Sequence, residues 1–168
     1  FADKPFVAIF PGASISEKRW DEKNFVDLAL NIRRSGFPIV VIGGENERAA
    51  GQAITFGIDS LNLVGKTSLV ETAAIIGKSS LLVSGDSGVL HIAAGLGKPT
   101  VSIFGPSNVK KWAPRGDMHI IITRNLPCSP CSSFGYTPKC PIKAKCMRDI
   151  TVDEVFAAVE RQMLLPHV

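Results

Sequence analysis

Unbroken apolar runs alternate along the chain with stretches in which apolar positions recur three and four residues apart. FVAIF (Phe6 to Phe10) is the first compact run; after the polar stretch PGASISEKRW, Phe25, Leu28, Ala29 and Ile32 follow at helical spacing. PIVVI (Pro38 to Ile42) repeats the strand pattern, stops at Gly43-Gly44 and leads into ENERAAGQAI, which reads as a helix. LNLV (Leu61 to Val64) is a short strand, and Ser68 with Glu71 forms a capping box for a helix through Ala73, Ala74 and Ile76. LLVS and VLHIAAG make a fourth strand and helix, and TVSIF (Thr100 to Phe104) and HIIIT (His119 to Thr123) bring the strands to about six. The last helix, at about residues 151–164, opens on a second capping box, Thr151 with Glu154, across which Ile150 and Val155 form a hydrophobic staple. Continuously apolar strands joined through helices imply an α/β domain with a parallel sheet covered on both faces.

Composition narrows this only a little. The 168 residues make one domain, 1–168, of ordinary soluble character, with 45% hydrophobic and 20% charged residues. An excess of 19 Lys and Arg over 15 Asp and Glu favours anions but is too small for a nucleic-acid binder. No apolar run has the length of a membrane span, and FADKPFVAIF has no cleavable leader pattern, so a cytoplasmic location is expected, with at most peripheral contact at the inner face of the membrane.

Several motifs are decoys. Gly85-Asp86-Ser87-Gly88 looks like a protease serine turn, but that chemistry needs a histidine earlier in the chain, and His91, His119 and His167 all follow Ser87. The hydrolase elbow G-x-S-x-G fails because Val89 stands two residues after Ser87. Gly65-Lys66-Thr67 resembles the end of a P-loop, yet Ser60 occupies the place of the first glycine. No G-x-G-x-x-G follows any strand, which removes the main support for a dinucleotide dehydrogenase.

In an open parallel sheet, ligands collect beyond the carboxyl ends of the strands. Here those ends carry residues 12–19, 43–47, 65–68, 84–91 and 105–107, each with glycine and polar side chains. Asp86-Ser87-Gly88 would open a helix whose free N–H groups and positive dipole end suit phosphate, with Gly88 permitting close approach and His91 on the same side of the first turn. Taken singly, Asp86 is better read as a helix cap and His91 as a satisfied, half-buried histidine, while Gly43-Gly44 fits a mere tight turn and Lys18 and Arg19 fit solvated charges. Together, five such loops on one edge match the needs of a nucleotide diphosphate.

PGASISEKRW, NFVDLA, GGENERAA, VGKTSLVETAAII and DSGVLHIAAGLGKPTVSIFGPS, in that order, resemble glycosyltransferase family 9, the ADP-heptose:lipopolysaccharide heptosyltransferases. The likeness runs from Phe6 to about Met163 and matches the carboxyl-terminal, Rossmann-like half of a two-domain GT-B enzyme. It implies a nucleotide-sugar donor, ADP-heptose, bound here, and an inverting transfer to a lipopolysaccharide core acceptor held by an amino-terminal domain. In similar enzymes the residue matching Lys18 contacts the donor phosphate and sugar, and that matching Ser14 the phosphate. The ribose falls to Glu47, with Glu45 in reserve, the base to Thr67, Ser68 and Leu69, the sugar to Asp86 and His91, and the diphosphate to Ser87 and Gly88. With no Asp-x-Asp metal motif, Lys18, Arg19 and helix amides would neutralise the leaving diphosphate, and no cofactor is required. The general base is expected in the amino-terminal domain, so no catalytic residue is assigned in this chain and little or no transfer is expected from it alone. A nucleotide-sugar epimerase of the same two-domain shape and a non-catalytic nucleotide-binding or zinc-stapled module are the competing functions.

The stretch at 126–147 breaks the pattern, being rich in Pro and holding all four cysteines, Cys128, Cys131, Cys140 and Cys146. Unligated thiols come first, a structural zinc second, and a redox C-x-x-C third, because Cys128 does not open a helix after a strand. Two disulfides fit the count but not a cytoplasmic setting.

Overall fold

The computed structural model describes residues 4–133 and 136–164, which leaves His167 outside the described residues. Its strands are β1 (Val7–Phe10), β2 (Ile39–Val41), β3 (Leu61–Asn62), β4 (Leu81–Gly85), β5 (Thr100–Phe104) and β6 (His119–Thr123). The helices are α1 (Glu22–Arg34), α2 (Arg48–Thr55), α3 (Leu69–Lys78), α4 (Gly88–Gly95), α5 (Val109–Trp112), α6 (Lys145–Arg148) and α7 (Val152–Leu164). All six strands run parallel in one sheet, in the order β3-β2-β1-β4-β5-β6.

Strand pleating divides the core. Val7, Ile9, Ile39, Val41, Leu81 and Val83 point to one face and pack with Phe25, Leu28 and Ile32 of α1, Ile54 of α2 and Val155 and Val159 of α7. Ala8, Val40, Ile42 and Leu82 point the other way, onto Ile76 of α3 and Ala93 of α4. The sheet is therefore covered on both faces, as its continuously apolar strands require. Both capping boxes form: Ser68 Oγ accepts from the Glu71 amide at 3.3 Å, and Thr151 Oγ1 from the Glu154 amide at 3.3 Å. Ile150 and Val155 are both buried in the larger cluster.

LNLV joins the sheet over Leu61–Asn62 alone. Asn62 Oδ1 accepts from the Val64 amide at 3.0 Å and turns the chain, so Val64 tucks under α2 instead. Gly51 makes that approach possible, since a Cβ there would lie 2.6 Å from Val64 Cγ2. α5 and α6 are single turns, too short to leave a period in the sequence. α6 closes the Cys- and Pro-rich stretch and carries Cys146 and Met147 into the core against Gly105, where a Cβ would stand 2.7 Å from Met147 Cγ. No helix among the described residues is long and apolar enough to cross a membrane.

The strand order places the site. β1, β2 and β3 step one way from the middle of the sheet, and β4, β5 and β6 step the other way. The loops after β1 and β4 therefore part and leave a crevice at the carboxyl edge.

Candidate functional site

Three cavities lie along that edge. The central one, about 260 Å3, is bounded by Phe10, Ala13 and Ser14 after β1, Asn46 and Glu47 after β2, and Ser87 and Gly88 after β4, with Arg19 across it. Toward β3 lies a more apolar slot of about 200 Å3 between Gly43-Gly44, Thr67, Leu69 and Thr72, sharing Phe10 with the central cavity. Toward β5 a third, of about 230 Å3, opens beside Lys18 and Ser107. A larger cavity of about 380 Å3 lies beyond Arg19 and Glu47, where Asp21 and Glu22 line it and make it unsuited to phosphate.

Lys18 and Asp86 meet between the central and third cavities. Lys18 ends a turn of 3-10 helix at Ser16–Lys18, and its Nζ donates to Asp86 Oδ2 at 2.7 Å, with the two side chains 18% and 10% exposed. Ser107 Oγ donates to the same oxygen at 2.5 Å. Lys18 is thus a held cation rather than a solvated loop charge. Asp86 is not the cap of α4. Ser87 is, its Oγ accepting from the Leu90 amide at 3.3 Å, which leaves the amides of Gly88 and Val89 without intrahelical partners at the cavity wall. Gly88 is exposed, and a Cβ built on it meets nothing within 4 Å.

The two acidic residues after β2 part company. Glu47 folds back over Gly43 and Gly12, accepts from the Gly44 amide at 2.9 Å and lines the central cavity. Glu45 turns outward and pairs with Arg48, whose hydrogen bonds hold its carboxyl below the usual range. Thr67 Oγ1 lies 2.9 Å from Thr72 Oγ1 at the apolar slot, and Leu69 beside it is 68% exposed. Ser68 is occupied as the cap of α3, bonding Glu71 through both amide and hydroxyl, which lowers the Glu71 pKa. Ser14 and Arg19 both line the central cavity, and Arg19 Nε also donates to Ala13 O at 3.2 Å. His91 is exposed rather than half-buried, its ring 6.4 Å from that of Trp112. Phe10, Asn46, Ser107 and Trp112 complete the edge. None stands out in sequence, though the Gly105 to Ser107 turn was marked by its place after the fifth strand.

The family model described as glycosyltransferase family 9 (heptosyltransferase) matches residues 1–140. The chain belongs to that family. It is 31% identical over 82 residues to lipopolysaccharide heptosyltransferase 2 of Salmonella typhimurium, an alignment covering 45% of this chain and 24% of that protein. It superposes on the E. coli ADP-heptose LPS heptosyltransferase II with a TM-score of 0.81 and 26% identity, covering 98% of this chain and 48% of that one. E. coli heptosyltransferase WaaC, solved with ADP-2-deoxy-2-fluoro heptose, shares the fold at a TM-score of 0.70 and 20% identity, over 95% of this chain and 44% of that one. This family 9 chain therefore spans about half the length of the solved heptosyltransferases it matches, and its sheet is one half of their GT-B architecture.

The cysteines of this family 9 domain gather at one place. Cys128, Cys131, Cys140 and Cys146 all border one small cavity of about 20 Å3 with Pro106 and Ile142, and all four thiols are free. Burial and the neighbouring sulfurs raise the pKa of Cys131 and Cys146. Four sulfurs are a zinc donor set in kind. Among the described residues, no group of three or more His, Cys, Asp or Glu side chains stands ready placed to hold a metal ion.

Proposed function

We propose that this chain is the donor-binding half of an inverting heptosyltransferase of lipopolysaccharide core assembly, and that it binds ADP-heptose along the carboxyl edge of its sheet. The observation that carries this is the Lys18–Asp86 pair beside the open amino end of α4, at the point where the strand order reverses. Adenine takes the slot beside Gly43-Gly44 and Leu69, and Glu47 accepts from the ribose hydroxyls. The diphosphate lies against the Gly88 and Val89 amides with Ser14, Arg19 and Lys18 around it. The sugar then falls beside Asp86 and His91.

In the reaction an acceptor hydroxyl attacks the anomeric carbon from the face opposite the diphosphate, and the bond from that carbon to the phosphate oxygen breaks. The charge growing on the leaving diphosphate is met by Lys18, Arg19 and the α4 dipole, which are set in place beforehand. The hydroxyl proton goes to a base on a second domain, which also holds the acceptor. Relatives named as heptosyltransferases, and a shared fold solved with a fluorinated ADP-heptose, support the choice of donor. Family membership favours transfer over epimerisation.

Calorimetry with ADP and ADP-heptose, together with a turnover assay on a lipopolysaccharide acceptor, tests the proposal. The chain is expected to bind both nucleotides and to release no ADP catalytically. Absence of ADP binding, or robust turnover by this chain alone, overturns it.

A further inference from the structure

On the donor-site reading above, we propose that the third cavity, across the Lys18–Asp86 pair, is the pocket for the transferred sugar. Trp112 and the hydroxyl groups of Ser132, Ser133 and Thr137 then select which sugar fits. The order of the edge leads to this. The apolar slot lies over β3 and β2, the phosphate cavity over β1 and β4, and the third cavity beyond β5. A sugar joined to a phosphate at the α4 amides, with the nucleoside running back toward β3, meets the third cavity when it continues along the edge past Asp86. Asp86 is the partition: it accepts from Lys18 and from Ser107, both of which line the third cavity.

The walls of that cavity have the chemistry of a saccharide site. Trp112 leaves 46% of its surface exposed, where an indole is usually covered, and Lys111 Nζ stands 5.0 Å from its ring centroid. In the lining of the same cavity, Ser132, Ser133 and Thr137 bring hydroxyls from the cysteine-rich loop. A pyranose offers an aliphatic C–H face to such a ring and its hydroxyls to such a wall. The loop is built to hold that wall. The Cys131 and Ser132 amides both donate to Pro106 O at 3.0 Å, Ser129 Oγ donates to Gly105 O at 2.7 Å, and Ser132 Oγ and Thr137 Oγ1 lie 2.7 Å apart. The gathered thiols therefore sit directly behind a binding surface, and the loop that interrupts the α/β pattern positions specificity groups.

Binding of ADP and ADP-heptose to the full chain, measured by calorimetry with melting temperatures alongside, separates this pocket from its alternatives. Trp112→Ala should weaken ADP-heptose about tenfold while ADP stays within about twofold, and Trp112→Phe should recover most of the loss. Ser132→Leu, which adds bulk at a second lining position, should reproduce the selective loss. With wild type binding ADP normally, unchanged ADP-heptose affinity in folded Trp112→Ala, or equal weakening of both ligands, overturns the pocket. Wild type that binds no ADP overturns the donor-site reading itself.

Discussion

Replacing Lys18 with methionine keeps the aliphatic stem and removes the charge, so it isolates the cation at the centre of the site. Lys18 Nζ lies 2.7 Å from Asp86 Oδ2 with only 18% and 10% of the two side chains exposed, and Ser107 Oγ reaches the same oxygen at 2.5 Å. Breaking a fully buried pair from one side costs about 3–5 kcal/mol. Here Asp86 keeps Ser107 and gains water, so a cost of about 1–2 kcal/mol is expected, read as a melting temperature lowered by roughly 2–8 °C. Binding should suffer more selectively. A charge-assisted contact to phosphate is worth about 1.5–3 kcal/mol, or roughly 10- to 150-fold in Kd for ADP. The uncompensated Asp86 carboxylate adds repulsion in the same direction. Adenosine, which carries no phosphate, should change by less than about twofold. Calorimetry with both ligands at low and high salt reads the difference, and the loss for ADP should shrink as salt screens the contact. Equal losses for ADP and adenosine, or unchanged ADP affinity in a folded Lys18→Met chain, would place Lys18 outside the phosphate site.

Gly88→Val should fold, because no atom lies within 4 Å of the added Cβ, yet lose ADP binding by more than about tenfold because the side chain fills the phosphate's place. Ser87→Ala should do the reverse, lowering stability by about 1 kcal/mol through the lost cap while ADP still binds. Glu47→Gln should weaken ADP by roughly tenfold, whereas Glu45→Gln should leave it unchanged; the opposite ranking would exchange the two roles. Arg124 and the Thr151 amide lower the Glu154 pKa from 4.5 to about 2, so its carboxylate stabilises the fold above pH 4.5 and that contribution is lost as the pH falls through about 2. Acid unfolding of wild type and Glu154→Gln should accordingly converge over that window, and a gap that stays constant down to pH 2 speaks against the pair. Elemental analysis should find the purified chain metal-free with four titratable thiols, and stoichiometric zinc that falls in Cys131→Ser would instead make the four cysteines a structural zinc site.

The layered α/β architecture was legible in the sequence because burial on both faces makes a strand apolar throughout, as in FVAIF and TVSIF, while burial on one face gives α1 its spacing of Phe25, Leu28, Ala29 and Ile32. The capping boxes at Ser68 and Thr151 were legible for the same reason: their partners lie three residues away. What depended on distant residues was not. Taken singly, Asp86 reads as a cap because local rules allow it, yet Lys18, 68 positions earlier, and Ser107, 21 positions later, claim its carboxylate and leave capping to Ser87. Glu45 and Glu47 are equivalent by type and neighbourhood. Only the room left at Gly12 and Gly43 lets Glu47 fold into the cavity, while Arg48 draws Glu45 into solvent. LNLV was legible as a strand but not its early end at Asn62, and the single turns α5 and α6 left no period, since a segment of four residues is placed by the contacts around it rather than by its own pattern. Sequence thus determined the elements and named most of the edge residues, because those signals are local. Which of them meet, and on which side of the Lys18–Asp86 pair each cavity opens, was decided by the strand order, which brings together loops that are far apart in the chain.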